Sequence, residues 1–353
     1  MPQQPATPDT VVYVSNAGGP EIFCLSMNRG TGDMTVFDKV SIPGADKPSP
    51  TSMPMAFSPD RRRLYVALRS EPFTVATFTI DGASGKLAHL GSTPLDASMA
   101  YTTIDKTGKW LLCASYPGAE LTINAIDAQG QVKAPPVQII KDHPKAHCVI
   151  LDASNRHAYC SVLEQDVILQ FQFDPASGQV TPSNPPSVKT KPGAGPRHMA
   201  LHPNGKFLYL ITETTATIGT YAVDPANGTL RELQFVEMLA PGVLKEQPAA
   251  ADLHVTPGGH FLYGSERKSS TLVGYRIDPA KGTLSLIGRV PTETTPRGFA
   301  IDAMGKYLLS VGLDSNHMTV YSIRPGAGNL DPVKQHAMGK QPNWIEIVDL
   351  KPW

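Results

Sequence analysis

Short apolar runs alternate with turn-forming residues along the whole chain, and the pattern is clearest between Arg197 and Gly228. Residues 199–202 form a short apolar strand, 203–206 supply a Pro-Asn-Gly-Lys turn, and 207–212 form a second strand. Residues 218–223 form a third, and after the Asp-Pro-Ala-Asn-Gly turn at 224–228 a fourth runs over 229–236. The second strand of that unit returns at 11–16, 63–69, 110–116, 157–164, 261–267 and 307–313. Marked from Tyr13 through Tyr65, Leu112, Tyr159, Tyr209 and Tyr263 to Leu309, the steps run from 46 to 54 residues. Self-similarity at such a period outranks local propensity. The chain therefore predicts an all-β, seven-bladed β-propeller with four antiparallel strands per blade.

The phase is split at the two ends. Residues 11–16 have second-strand character with no first strand before them, whereas 344–349 have first-strand character with no second strand after. Pairing the two in one composite blade closes the ring and removes exposed edges. The expected organisation is a flexible segment over residues 1–10 and a single propeller domain over 11–350. A chain of 353 residues would ordinarily suggest two domains, but a propeller grows by adding blades. First strands are expected at 55–59, 102–105, 148–152, 199–203, 253–257, 299–303 and 344–349. The third-to-fourth turns repeat Asp followed by Gly, as at 81–85, 127–130, 174–178, 224–228 and 278–282. Asp bonds the following backbone and Gly takes positive φ, so these read as structural turns; they lack the further oxygen ligands of a calcium loop. Longer connections at 43–54, 142–147, 181–196 and 240–252 all lead from an outer strand into the next inner one.

Composition narrows the function classes. A hydrophobic content of 41% is enough for a core, and 31 basic against 31 acidic residues gives no footprint for nucleic acid or an acidic membrane. The N-terminus has neither a basic n-region nor an apolar h-region, so a soluble, cytoplasmic protein is expected, monomeric or weakly homo-oligomeric. Cys24, Cys113, Cys148 and Cys160 show no CxxC spacing and read as buried free thiols, with a Cys148–Cys160 bridge as the alternative. There is no Gly-rich phosphate loop, no GxSxG elbow, no HExxH and no Cys/His set with zinc spacing. No cofactor and no metal are expected. His202, His254 and His260 read as core or turn residues.

Antiparallel order within a blade locates the candidate chemistry. Residues just before a first strand and just after a second strand share one rim of the central funnel. Leading into first strands are His147, Arg197, His198, Asp252 and Arg297; trailing second strands are Asn16, Arg69, Tyr116, Glu164, Glu213, Glu266 and Arg267. Guanidinium groups suit a small carboxylate or phosphate ligand, Glu can take or relay a proton, and His titrates near neutrality. The competing readings are salt bridges with no function, as for Arg197 with Glu213, and a non-enzymatic scaffold, which would instead show apolar and aromatic residues on the rim.

The repeated Pro-Asn-Gly-Lys-Phe-Leu-Tyr, the Asp-Pro-Ala-x-Gly-x-Leu turns and the run Gly-Pro-Arg-His-Met-Ala-Leu-His-Pro at 195–203 resemble the seven-bladed propeller lactonase family. That family includes 6-phosphogluconolactonases of this type and the fungal carboxy-muconate lactonizing enzyme. The resemblance covers roughly residues 10–350 and implies a catalytic set of His147, Arg197, Glu213 and Arg267, with Arg297 matching a further common arginine. Glu266 stands where relatives often have Asn, and Asp252 where many have Glu. The implied activity is metal-independent hydrolysis of a small anionic sugar-derived lactone such as 6-phosphogluconolactone, with lactonization of an unsaturated diacid as the alternative. Arg197 and Arg267 are expected to hold the anionic end and polarise the carbonyl, while Glu213 or His147, the latter in either protonation form, acts as general base. The expected substrate contacts are Arg297, His198, Glu164, Arg69, Tyr116, Asn16 and Asp252. A calcium-dependent propeller would need ligands such as Asn16, Glu164 and Asp252 to converge.

Overall fold

The second strands explain why the chain folds into blades. Val11 and Tyr13 pack with Phe57, Leu64 and Val66 of the following blade, while Val12 and Val14 pack with Leu309, Val311 and Ile345 on the other side. A strand buried on both faces reads as a continuous apolar run and not as an alternating one. Burying each Val, Leu or Phe side chain is worth about 1.5–3 kcal/mol. In the computed structural model, residues 8–49, 51–243 and 246–351 are described, and they hold 28 strands in seven four-stranded antiparallel sheets, with no helix among the described residues. The first strand of each blade packs on the first strand of the next around the axis.

Ring closure follows the split phase of the sequence. Thr10–Asn16 pairs antiparallel with Pro342–Asp349, Val11 opposite Val348 and Tyr13 opposite Glu346. Arg29 adds an ion pair to Asp349 at 3.2 Å. Of the segment expected to be flexible, residues 1–7 lie outside the described residues; Thr10 already opens a strand, and the Asp9 carbonyl accepts the Leu350 N–H at 2.8 Å.

The repeated tyrosine is a latch between blades. Tyr13, Tyr65, Tyr159, Tyr209 and Tyr263 each donate their buried hydroxyl to the carbonyl of a glycine in the next blade's third-to-fourth turn: Gly85 (2.7 Å), Gly130 (3.0 Å), Gly228 (2.6 Å), Gly282 (3.0 Å) and Gly328 (2.7 Å). The unit with Leu112 in place of tyrosine uses the Trp110 indole instead, donating to the Pro175 carbonyl at 2.9 Å. Gly282 sits at φ +72°, and a Cβ there would meet the Phe207 ring at 2.4 Å, so the turn needs glycine both for its backbone and for its space. The Asp turns behave as read: Asp81 accepts the Ser84 N–H at 2.7 Å and the Ala83 N–H at 3.2 Å.

Three details differ from the sequence reading. The first strands are Met55–Phe57, Met99–Ile104, Ala146–Leu151, Pro196–Leu201, Ala250–Val255, Pro296–Ile301 and Pro342–Asp349, so most begin two or three residues earlier than the apolar pattern indicates. The connection expected over 181–196 is mostly the outer strand Gln179–Lys189, whose three prolines are tolerated because it is an edge. All four cysteines are buried and free; Val149, not Cys148, stands opposite Cys160.

Candidate active site

The early strand starts matter because each carries a β-bulge. In six blades the register between first and second strand slips near the start of the first, leaving one unpaired extra residue. Between Ala146 and Cys148 the extra residue is His147; between Pro296 and Gly298 it is Arg297. Arg197 and His198 together oppose Ile211 alone, and Ala251 and Asp252 together oppose Ser265 alone. A bulge re-aims a side chain out of the sheet alternation. Lys145, Gly195, Thr295 and Gln341 occupy the left-handed region two places before His147, Arg197, Arg297 and Asn343. Three of those four are not glycine, which is backbone strain of the kind concentrated at functional sites.

Six of the expected residues flanking first and second strands meet at one mouth of the ring. A pocket of ≈ 240 Å³ is lined by Thr51, Arg69, Tyr116, His147, Glu213, Arg267 and Arg297. Glu213 receives Arg197 Nε on Oε2 at 3.0 Å and Arg267 on Oε1 at 2.7 Å. Arg197 is 1% exposed and lies behind Glu213, where it also donates to the Ala251 carbonyl. Arg267 is further tied to the Ala249 carbonyl at 2.8 Å. Neither Arg69 nor Arg297 has a carboxylate. Arg69 bonds three hydroxyls, Thr51 (2.8 Å), Ser52 (2.9 Å) and Ser98 (3.1 Å), and Arg297 has no hydrogen-bond or ion-pair partner among the described residues.

Electrostatics sharpen this inventory. Burial draws Arg69 and Arg197 down to about 10, which leaves both cationic at neutral pH. Burial, and then Arg197, Arg267 and Arg69, push Arg297 well below its ordinary value. A guanidinium is not deprotonated in proteins, so Arg297 stays cationic in a buried site that it shares with three other arginines. Burial works to raise Glu213, but Arg197 and Arg267 outweigh it and hold the carboxyl below its usual range. His147 is 3% exposed; burial, followed by Arg197, His198, Arg297 and Arg69, holds it far below the usual imidazole range. It is therefore neutral, and the imidazolium form considered from sequence is disfavoured. Its Nδ1 is buried without a partner, which leaves Nε2 as the nitrogen open to the pocket. The Tyr116 ring stands edge-on to it at 5.7 Å.

Other expected contacts lie elsewhere. Glu164 points into solvent and pairs with Lys145 at 2.9 Å. Asn16 is fully buried in its own blade, its amide donating to the Val14 carbonyl at 3.2 Å. Glu266 is also fully buried and caps a turn, accepting from Ala249, Lys268 and Ser269. Asp252 and His198 sit behind the pocket wall, joined at 2.8 Å, with Asp252 also accepting from His254 at 3.1 Å. Asn16, Glu164 and Asp252 thus do not converge, and among the described residues no group of three or more His, Cys, Asp or Glu is arranged to hold a metal. His254, read as core or turn, faces a second cavity of ≈ 220 Å³ with Glu346, Arg61 and Tyr101. The hydroxyls of Thr51, Ser52 and Ser98 are not singled out by the sequence; the long connection 43–54 leading to the rim is the only trace of the first two, and Ser98, in the short segment before Met99–Ile104, leaves none.

A closed ring of seven blades carries one cationic pit at its mouth, where a neutral imidazole lies beside a carboxylate fixed by two arginines. The chain belongs to the seven-bladed β-propeller lactonase family: residues 12–347 match the family described as "Lactonase, 7-bladed beta-propeller". It is 35% identical over 340 residues to a 6-phosphogluconolactonase of Pectobacterium atrosepticum, covering 96% of this chain and 99% of that protein. A 6-phosphogluconolactonase of Photorhabdus laumondii is also 35% identical with the same coverage. Among solved structures, the periplasmic gluconolactonase of Pseudomonas aeruginosa superposes with a TM-score of 0.86 at 23% identity, covering 97% of this chain and 99% of that one. That likeness is one of fold.

Proposed function

We propose that this protein hydrolyses a phosphorylated sugar lactone of the 6-phosphogluconolactone type. The observation that carries the reading is the pair Arg69 and Arg297, two guanidinium groups without a carboxylate that line the same pocket as the open Nε2 of neutral His147. The phosphate goes to Arg69 and Arg297, whose forks match its oxygens. Arg197, expected from sequence to hold the anionic end, is buried and committed to Glu213, so in this reading it supports and does not bind.

His147 is the general base. Its Nε2 takes a proton from water as the water oxygen bonds the lactone carbonyl carbon. The carbonyl becomes a tetrahedral oxyanion beside Arg267, whose charge stabilises it without reorganisation. The ring C–O bond then breaks, the imidazolium returns its proton to the departing ring oxygen, and a hydroxy acid leaves. Glu213, both oxygens occupied by arginine, fixes Arg267 in place and is a poor base. The 6-phosphogluconolactonase relatives favour hydrolysis over lactonization. The reading also puts the protein in the cytoplasm as a monomer or weak homo-oligomer, and makes the reaction independent of metal.

The test is acid release followed in a pH-stat with freshly made 6-phosphogluconolactone and with unphosphorylated gluconolactone, before and after EDTA. Faster release from the phosphorylated lactone, unchanged by EDTA, is expected. Inertness towards both would remove the proposal, and equal rates would remove the phosphate from it.

A further inference from the structure

Behind His147 lies a line of groups that the hydrolysis scheme leaves unused. His198 is 5% exposed and donates its Nδ1–H to Asp252 Oδ1 at 2.8 Å. Asp252 is held in place by the Leu253 N–H at 3.0 Å and the Phe299 N–H at 3.3 Å, and by His254 at 3.1 Å. The His198 ring lies 5.1 Å from the His147 ring, centroid to centroid, at an interplanar angle of 64°. Two buried nitrogens in this line have no partner: His198 Nε2 and His147 Nδ1. With the ring centroids 5.1 Å apart, an imidazole nitrogen of each ring directed at the other lies within hydrogen-bonding range. A buried polar atom without a partner is destabilising, and each of these two nitrogens can supply what the other lacks.

We propose that Asp252 and His198 are positioning residues that set the tautomer of His147, in the order Asp252, His198, His147, pocket. The inference rests on the reading of His147 as base. Asp252 is ionised and accepts only, so the single proton of neutral His198 sits on Nδ1 and its Nε2 is a bare acceptor. His147 Nδ1–H donates to that acceptor, which leaves Nε2 without a proton and facing the substrate. When Nε2 takes the proton of the attacking water, His147 carries one positive charge; His198 and Asp252 stabilise it without taking the proton. The groups facing this line are Arg197, Arg297 and Arg69 towards His147, and Arg197, Arg297 and Asp252 towards His198, with the Tyr101, Tyr116 and Trp344 rings edge-on or tilted against them. Burial, and then Arg197, bring His198 down to about 4, in keeping with one ring proton at neutral pH.

The decisive experiment combines kinetics with nitrogen-15 NMR of the imidazoles in the full-length protein. His198→Phe, which keeps an aromatic ring and removes the acceptor, is expected to lower kcat about 10–100-fold with KM little changed. His198→Gln, whose amide oxygen can accept, is expected to recover part of that loss. Adding His198→Phe to His147→Ala is expected to cost nothing further, because the two act as a unit. The NMR spectrum of the wild type is expected to show the His147 proton on Nδ1, moving to Nε2 in His198→Phe. A wild-type kcat in His198→Phe, or a His147 proton on Nε2 in the native protein, overturns the inference. If the wild type is inert towards every lactone, the proposed hydrolysis fails, while the NMR result still decides the tautomer independently.

Discussion

The two mouths of the ring are built on opposite principles. At one, five blades repeat the same parts, a second-strand tyrosine whose hydroxyl is donated to the carbonyl of a turn glycine in the next blade, and the Leu112 unit substitutes its Trp110 indole. At the other, the blades share a backbone irregularity and differ in what it carries: Ala100, His147, Arg197 with His198, Asp252, Arg297 and Asn343 all sit at the same slip of register. Repetition makes the scaffold, and variation at a repeated bulge makes the chemistry. The bulge takes these residues out of the sheet alternation without asking the blade to change, and brings His147 and Arg297 into the pocket while the apolar second strands stay intact.

If that division holds, substitutions at the two mouths must separate activity from stability. The largest effect is expected from His147→Ala: kcat falls roughly 10²–10⁴-fold, the usual contribution of a general base, with the melting temperature close to wild type. Next, Arg297→Ala raises KM for the phosphorylated lactone about 10–100-fold, leaves the unphosphorylated one nearly unaffected, and does not lower the melting temperature, since it removes an uncompensated positive charge. A drop in thermal stability there would mean that Arg297 is a structural residue.

Acid should act on the variable mouth. Folded His147 and His198 titrate below the unfolded value of about 6.5, so as pH falls from about 6.5 to 4 the unfolded chain takes up protons that the folded one refuses, and stability declines. His254, raised by Asp252 against the pull of burial, works in the opposite sense: its contribution is complete below about 6.5 and fades as pH rises through its folded value. Glu213, lower folded than unfolded, adds a further loss below about pH 4.3. Melting temperatures between pH 8 and 4 should show this decline, and His198→Phe should flatten it. The smallest effect belongs to the repeated mouth: Tyr209→Phe is expected to cost about 0.5–1.5 kcal/mol in urea denaturation and to leave kcat and KM unchanged.

The scaffold was readable because it repeats. Seven copies of one pattern located every blade and the closing pair of strands, even where Leu112 replaced the tyrosine and Trp110 took over its bond. The pit was half readable. The rule that residues flanking first and second strands share a rim brought His147, Glu213, Arg267, Arg297, Arg69 and Tyr116 together, as the pocket has them. It erred where direction depends on a side chain's own turn: Glu164 swings out to Lys145, and Asn16 folds back into its blade. Nor could spacing alone tell that Arg197 lies behind Glu213, because apolar alternation counts residues in register and a bulge adds one that is not.

The pairing of Thr10–Asn16 with Pro342–Asp349 also sets the timetable of synthesis. The partner of Thr10 in that pairing is 339 residues away along the chain, so at ribosomal speeds of 5–20 residues per second the first strand waits roughly 17–70 s for it. During that interval an open strand edge faces the cell. A nascent-chain complex stalled before Pro342 should therefore expose a sticky edge, and its association with chaperones should end once Pro342–Asp349 emerges.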